Sequence, residues 1–451
     1  MATTREVHIK PGESRRLNVY VIFVSLAVFL AGITSNFLVK VIGSLPLAEL
    51  LFLPMMPILL FIQRRQMTRP TIRPVLVLLG VWLLAQIVTD IYRGAVFFDW
   101  ARGDANVIFF GIDILALVAL LGKSESRKVI FLLGVTLGHL LANKLQPLGD
   151  SSGWKLGLGP SADIWAVLCI CYFLRRRNYP LALLVLISIT AINLIENVRS
   201  IVLILFITAA LTMPIIPERM GRLRFLPRPG TQGRLLVHTV LALGAAVAAL
   251  GAVKLATNSG LLQQSQEEKN ENQSKLPGGI LVGGRLATVV AARAVIDSPI
   301  LGHGSKSRDP KYVEMYADLK ARYGNEGTSA DTIEGNTGGG IPSHSFLLGT
   351  WVSAGVFGGV FWLYLLRPAV KAVVMVPHLQ PPLGPLYIYI LVTLIWNIFY
   401  SPFAALHRVL AALAIVIIAE TLETKAPAMT IKSSDRAGRT RRRPITWRAA
   451  V

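Results

Sequence analysis

His344 stands in the run Ile341-Pro342-Ser343-His344-Ser345-Phe346-Leu347-Leu348, where a long glycine-rich polar stretch gives way to an apolar one. Imidazole is the side chain most easily set to take a proton near neutral pH, so the chemistry this junction suits is general-base activation of a hydroxyl. Pro342 and Ser343 are expected to fix a helix start there. The positive end of such a helix keeps an imidazole neutral or holds an anion. A histidine that merely caps the helix at an interface is the plainer alternative.

Arginines at the rim of apolar segments form the second group, because a charge there is costly without an anionic or hydrogen-bonding partner. Arg199, in Asn193-Leu194-Ile195-Glu196-Asn197-Val198-Arg199-Ser200, occupies a very short turn between two apolar runs. Either it pairs with Glu196 across two helix ends or it binds an anion. Arg285 follows Gly283 and Gly284, which allow a ligand close approach. Arg293 lies two turns further on, offset by about 80°, so both can face one side of a helix. Converging guanidinium forks make a diphosphate cradle, since each donates paired hydrogen bonds and keeps its charge. Snorkelling toward lipid phosphate is the other reading of Arg293. His303, in Leu301-Gly302-His303-Gly304, is an auxiliary candidate or an exposed loop histidine. His139, Asn143, Lys144, His407 and Arg408 either line the same cavity or make polar contacts between helices.

The elements that must position these residues are apolar. Of 451 residues, 53% are hydrophobic and 16% charged, with a mean hydropathy of +0.55. Such a chain is expected to be an all-α, polytopic membrane protein. A window of about nineteen residues finds roughly twelve spans: near 18–38, 45–62, 74–91, 107–121, 129–145, 161–174, 179–195, 199–213, 235–256, 344–366, 385–400 and 403–420. This divides the chain into a cytoplasmic tail (1–17), nine spans (18–256), a periplasmic loop (257–342), three spans (343–421) and a basic tail (422–451). The net charge of +21 first suggests nucleic acid. The basic residues, however, gather in turns on alternate sides of successive spans, as Arg64, Arg65, Arg69 and Arg73, then Arg175, Arg176 and Arg177, then Arg219, Arg222, Arg224, Arg228 and Arg234. That is the positive-inside pattern, which puts both termini in the cytoplasm and the long loop outside. The tail from Thr424, with Arg439, Arg441, Arg442 and Arg443, reads as disordered. No leader cleavage pattern precedes the first span.

Within the loop, residues 263–275 are polar. An amphipathic helix is expected from Arg285 to about Ile296, stopped by Ser298-Pro299. A second is expected after Asp309 as N-cap and Pro310 in the first turn, with Tyr312, Tyr316, Leu319 and Tyr323 on one stripe. The stretch from Gly324 to Gly340 is either a lid or a linker. Gly355, Gly358 and Gly359 let another helix approach closely. Cys169 and Cys171 fall on different faces of one span and read as packing residues, not a disulfide or a metal site. No nucleotide-hydrolase loop, dinucleotide fingerprint, HExxH or nucleophile elbow is present. No cofactor is expected, and the driving force must come from an activated substrate.

Three ordered segments give the chain a resemblance to the O-antigen ligase and polysaccharide polymerase superfamily of bacterial envelope glycosyltransferases. They are Val198-Arg199-Ser200; Gly284-Arg285-Leu286 through Pro299-Ile300-Leu301-Gly302-His303-Gly304; and Pro342-Ser343-His344-Ser345-Phe346-Leu347 with Gly355 and Gly358 after it. Ser345 departs from the asparagine common at that place. The resemblance implies a metal-independent, inverting transferase in the bacterial inner membrane. It would move a glycan from undecaprenyl diphosphate to an acceptor hydroxyl at the periplasmic face. Arg199 and Arg285 would hold the donor diphosphate, with Arg293 and His303 as auxiliaries, and His344 would deprotonate the acceptor. The implied partners are the lipid-linked donor, a glycan or lipid A core acceptor, and membrane lipids, with no nucleic acid. Polymerisation of repeat units is the first reading, and ligation to lipid A core the second. A protein O-glycosylating relative is a third. A lipid or glycan transporter is the rival from another class, and it should show repeated halves with broken helices.

Overall fold

The computed structural model describes residues 11–40, 44–145, 153–155, 157–212, 232–258, 285–323, 340–379 and 381–439. The polar stretch 263–275, Gly283, Gly284, the stretch from Gly324 up to residue 339, Arg219, Arg222, Arg224, Arg228, Arg441, Arg442 and Arg443 lie outside them. The order is α1 (Pro11–Thr34), β1 (Leu38–Lys40), β2 (Ser44–Pro46), α2 (Leu47–Met67), α3 (Ile72–Arg93), α4 (Phe97–Leu121), α5 (Glu125–Leu145), α6 (Gly159–Arg175) and α7 (Tyr179–Ile195). There follow α8 (Arg199–Thr212), α9 (Gln232–Asn258), α10 (Leu286–Asp297), α11 (Pro310–Tyr323), α12 (Phe346–Leu379), α13 (Gly384–Tyr400) and α14 (Ala405–Arg439).

Among the described residues, four helices are long and apolar enough to cross a membrane: Ile72–Arg93, Phe97–Leu121, Glu125–Leu145 and Phe346–Pro377. Six shorter apolar helices accompany them: Val21–Thr34, Leu47–Ile58, Tyr179–Ile195, Arg199–Thr212, Val240–Leu255 and Gly384–Tyr400. The outward faces carry large apolar side chains such as Phe61, Leu84, Ile91 and Ile187. A mostly helical chain of this kind is compatible with a membrane protein.

Boundaries differ from the sequence reading for local reasons. Helix α1 begins at Pro11 rather than near 18, and α4 begins at Phe97 rather than near 107. Asp99, Arg102 and Asp104 lower the hydropathy of α4's first turns, yet Asp99 and Asp104 turn inward and are buried. The all-α expectation misses a short antiparallel hairpin pairing Leu38 with Pro46 and Lys40 with Ser44. Helix α14 runs on to Arg439 where an unstructured tail was expected, because extending a formed helix costs far less than starting one.

An aromatic cluster sits at the centre. Phe346, the first residue of α12, packs on Trp362 at 4.8 Å and on Phe403 at 5.3 Å, and Phe110 and Trp82 close on Trp362 at 5.8 and 6.1 Å. Phe346 and Trp362 are fully buried, so the residue two places after His344 is locked in the core.

The glycine reading is corrected at α12. Gly355 does not receive another helix; it is non-helical, with φ 64° and ψ −157°, and a Cβ there would lie 1.8 Å from the Ile300 carbonyl oxygen. A turn from the segment between α10 and α11 enters the break. Val356 N–H donates to the Ile300 carbonyl, while His303 and Gly304 N–H donate to the carbonyls of Val352 and Ser353. Arg93 and Thr89 at the end of α3 hold the turn's far side through the carbonyls of Gly302 and Leu301. Gly355→Ala places a side chain at positive φ against backbone, and we expect it to cost about 2 kcal/mol or more. The exposed mid-helix change Gly80→Ala, with nothing within 4 Å, should be neutral or stabilising. Thermal unfolding of the detergent-solubilised protein checks the contrast, and equal midpoints for the two variants would contradict it.

Candidate functional site at the end of helix α13

The last turn of α13 ends in carbonyl groups that have no partner within the helix, and two neighbours use them. Ser345 Oγ donates to the Ile398 carbonyl at 2.8 Å and accepts the Leu348 N–H at 3.1 Å. Ser345 is therefore the N-cap of α12, so His344 is not the cap that the plainer sequence reading allowed, and the helix starts later than Pro342 and Ser343 suggested. Arg285 donates to the Tyr400 carbonyl. Its guanidinium lies over the rings of Trp396 at 4.8 Å and Tyr400 at 5.0 Å. Stacking on two aromatic faces fixes the plane of the fork and leaves its charge on the open side.

His344, one residue before this cap, is therefore held by the same helix end as Arg285. His344 is exposed at the surface; the protein around it is nonetheless the main cause holding it below the ordinary value of 6.5, and the charges of Arg285, Lys155 and Lys320 push the same way. A neutral imidazole beside cations is the protonation state a base needs.

Beside Trp396 lies a cavity of about 310 Å³ between α5, α6, α8, α13 and α14. Trp396, which carries Arg285 on one face, lines it, as do Lys155, Val198, Ser200, His139 and His407. Arg199 thus sits in the wall segment of the cavity, half-buried, with Nε donating to Asn197 Oδ1 at 2.9 Å. Inside, Asn193 donates to Asp163 Oδ1 at 2.7 Å and accepts from Trp154 Nε1 at 3.1 Å. His139 Nε2 meets the Gly157 carbonyl at 2.7 Å, which requires that nitrogen to carry the proton.

The fold therefore sets Arg285 and the segment just after His344 against one helix end, whereas Arg199 is joined to the cavity only through its neighbours Val198 and Ser200. It does not bring Arg293 and His303 there. Arg293 pairs with Asp297 at 3.0 Å. Asp297 also takes bonds from Lys311 and Tyr312, and these hold its carboxyl down at about 2. His303 Nε2 donates to the Ala294 carbonyl at 2.8 Å with its ring edge on Tyr312 at 5.2 Å. Both belong to the packing of α10 against α11. Arg408, next to the cavity residue His407, is buried away in an ion pair with Glu49.

Sequence reasoning missed Lys155, Trp396, Tyr400, Asp163 and Asn193. Only the last two carried a signal, as polar residues inside apolar runs. No protein-family model, curated protein or solved structure matches this chain.

Removing the cap isolates the contribution of this joint. Ser345→Ala forfeits the cap and the bond to α13, an expected loss of about 1–2 kcal/mol. Ser345→Asn, which keeps a capping oxygen and a donor, should lose less than half of that. The thermal midpoints of the three proteins check the order, and an alanine variant as stable as the parent would contradict it.

Proposed function

We propose that this protein is an integral-membrane glycosyltransferase of the O-antigen polymerase and ligase type. It would transfer a glycan from undecaprenyl diphosphate to an acceptor hydroxyl, most simply the end of another repeat unit. In this reading about twelve segments cross the inner membrane, both termini are cytoplasmic and the α10–α11 side faces the periplasm. The observation that carries the proposal is a fixed guanidinium, Arg285, and a neutral, exposed imidazole, His344, close to the end of α13, whose Trp396 both carries Arg285 and lines a cavity in an apolar bundle.

Each group has a task. Arg285 and Arg199 donate to the diphosphate oxygens and offset the charge that grows as the glycosyl C–O bond breaks. Lys155 adds positive charge on the cavity side. His344 accepts the proton of the acceptor hydroxyl as its oxygen attacks the anomeric carbon from the side opposite the departing diphosphate, which inverts that carbon. The mostly apolar wall excludes water that would compete as acceptor. Ser345 fits the resemblance despite differing from asparagine, since both residues cap helices well. The break in α12 serves the rival transporter class less well, because its backbone groups are satisfied by an extramembrane turn rather than left for an ion.

Reconstitution with lipid-linked glycan and an acceptor glycan tests the reading. His344→Ala should lower turnover by about 10²–10⁴-fold and Arg285→Ala by about 10²–10³-fold, each in protein that elutes as the parent does. Wild-type rates in both variants would end the assignment. The pH profile supplies a second check. Because His344 lies below 6.5, activity should be full at neutral pH and fall as acid protonates the ring, with the midpoint below 6.5. Lys320→Gln removes one of the three cations and should move that acid limb upward while leaving the plateau unchanged. A downward movement would show that the electrostatic account is wrong.

A further inference from the structure

Three ionisable side chains from three helices meet inside the bundle, away from the site above. Arg408 of α14 and Glu49 of α2 are each 0% exposed, and Asp113 of α4 is 1% exposed. Arg408 spends its donors on the glutamate: Nη2 reaches both Glu49 oxygens at 2.7 Å, and Nε reaches Oε1 at 3.0 Å. Nη1 donates to Asn106 Oδ1. Both oxygens of Asp113 are buried with no hydrogen-bond partner among the described residues, and α4 packs against both α2 and α14, the helices that carry Glu49 and Arg408.

A carboxylate holds only acceptor oxygens, so one buried without a donor is favoured in its protonated form, which can give its O–H to a neighbouring acceptor. Charge gives the same answer. One guanidinium against two carboxylates leaves a net negative charge out of water, and a buried group in that position neutralises itself. Of the helices packed on α4, α2 brings Glu49 and α14 brings Arg408 into this interior. Which acid keeps the proton follows from the partners. Glu49 accepts three bonds from Arg408 and stands in the first turn of α2, where the helix dipole favours an anion. Asp113 is in mid-helix with neither advantage.

We propose that Asp113 is a proton-binding site, protonated at neutral pH and donating its O–H to Glu49, so that α2, α4 and α14 are joined by an electrically neutral Arg408–Glu49–Asp113 unit. This holds independently of the glycosyl-transfer reading. Infrared spectra of the full-length protein in nanodiscs at pH 8 test it. A protonated-carboxyl C=O band should be present, shift in D₂O, move on ¹³C-aspartate but not ¹³C-glutamate labelling, and survive Asp104→Asn. Asp113→Asn should remove the band and keep the parent's thermal midpoint, because the amide N–H replaces the acid O–H. Glu49→Gln, which strands Arg408, should lower the midpoint sharply. The labelling arm needs only the unaltered side chain at 113, so a poorly folding variant would not rescue the idea. Absence of the band at pH 8, its persistence in Asp113→Asn, or its loss on adding sodium or potassium, which would mark a bound cation instead, overturns the proposal.

Discussion

The insertion of the Ile300–Gly304 turn into the break of α12 is the constraint on which the rest of the structure depends. An interrupted helix in an apolar bundle leaves N–H and C=O groups that lipid cannot satisfy, and each would cost several kcal/mol. Here the turn satisfies them: Val356 N–H reaches Ile300, and Val352 and Ser353 accept from His303 and Gly304. Trp351 Nε1 adds a bond to the Pro299 carbonyl at 2.7 Å. The fit is possible only because Gly302 and Gly355 lack side chains; a Cβ on Gly302 would stand 2.6 Å from Gly355 N.

That lock determines where the site can be. The turn follows α10, which Arg285 immediately precedes, and the kinked helix starts at Phe346, two residues after His344. Both residues are thus tethered, one on each side, to a single rigid junction. α13 completes it by offering its final carbonyls to Arg285 and Ser345. Below the junction, Asp90 takes the Ser305 N–H and Oγ–H at 2.6 and 2.7 Å, tying the same segment to α3. A backbone carbonyl and two aromatic faces hold Arg285.

The sequence displays the part of this that depends on one segment at a time. Apolar runs, the Asp309–Pro310 start of α11, whose Lys311 N–H does bond Asp309 at 3.0 Å, and the candidates Arg285 and His344 are all local signals. What it hides is relational. The glycines after His344 signal close approach but not the partner, which turned out to be a turn from some fifty residues upstream. Arg293 and His303 have the same spacing logic as Arg285, yet Asp297 and the Ala294 carbonyl claim them. Charges at the start of α4 depress its hydropathy, although Asp99 faces Arg308 at 3.0 Å and is buried. Likewise Arg408 reads as a cavity residue until Glu49, far away in the chain, is seen to take it.

One tension remains inside the proposed mechanism, and it resolves into an order of events. The cations suited to a diphosphate are the same ones that weaken His344 as a base, since Arg285, Lys155 and Lys320 all disfavour its protonated form. With the cavity rim empty, the imidazole is neutral but a poor acceptor of protons. A diphosphate bound among those cations would cancel their field, and its own negative charge would stabilise the imidazolium. The proton affinity of the ring therefore rises when the donor arrives. A hydroxyl at the rim would then be activated only beside a loaded donor, so the arrangement that binds the leaving group also times the base.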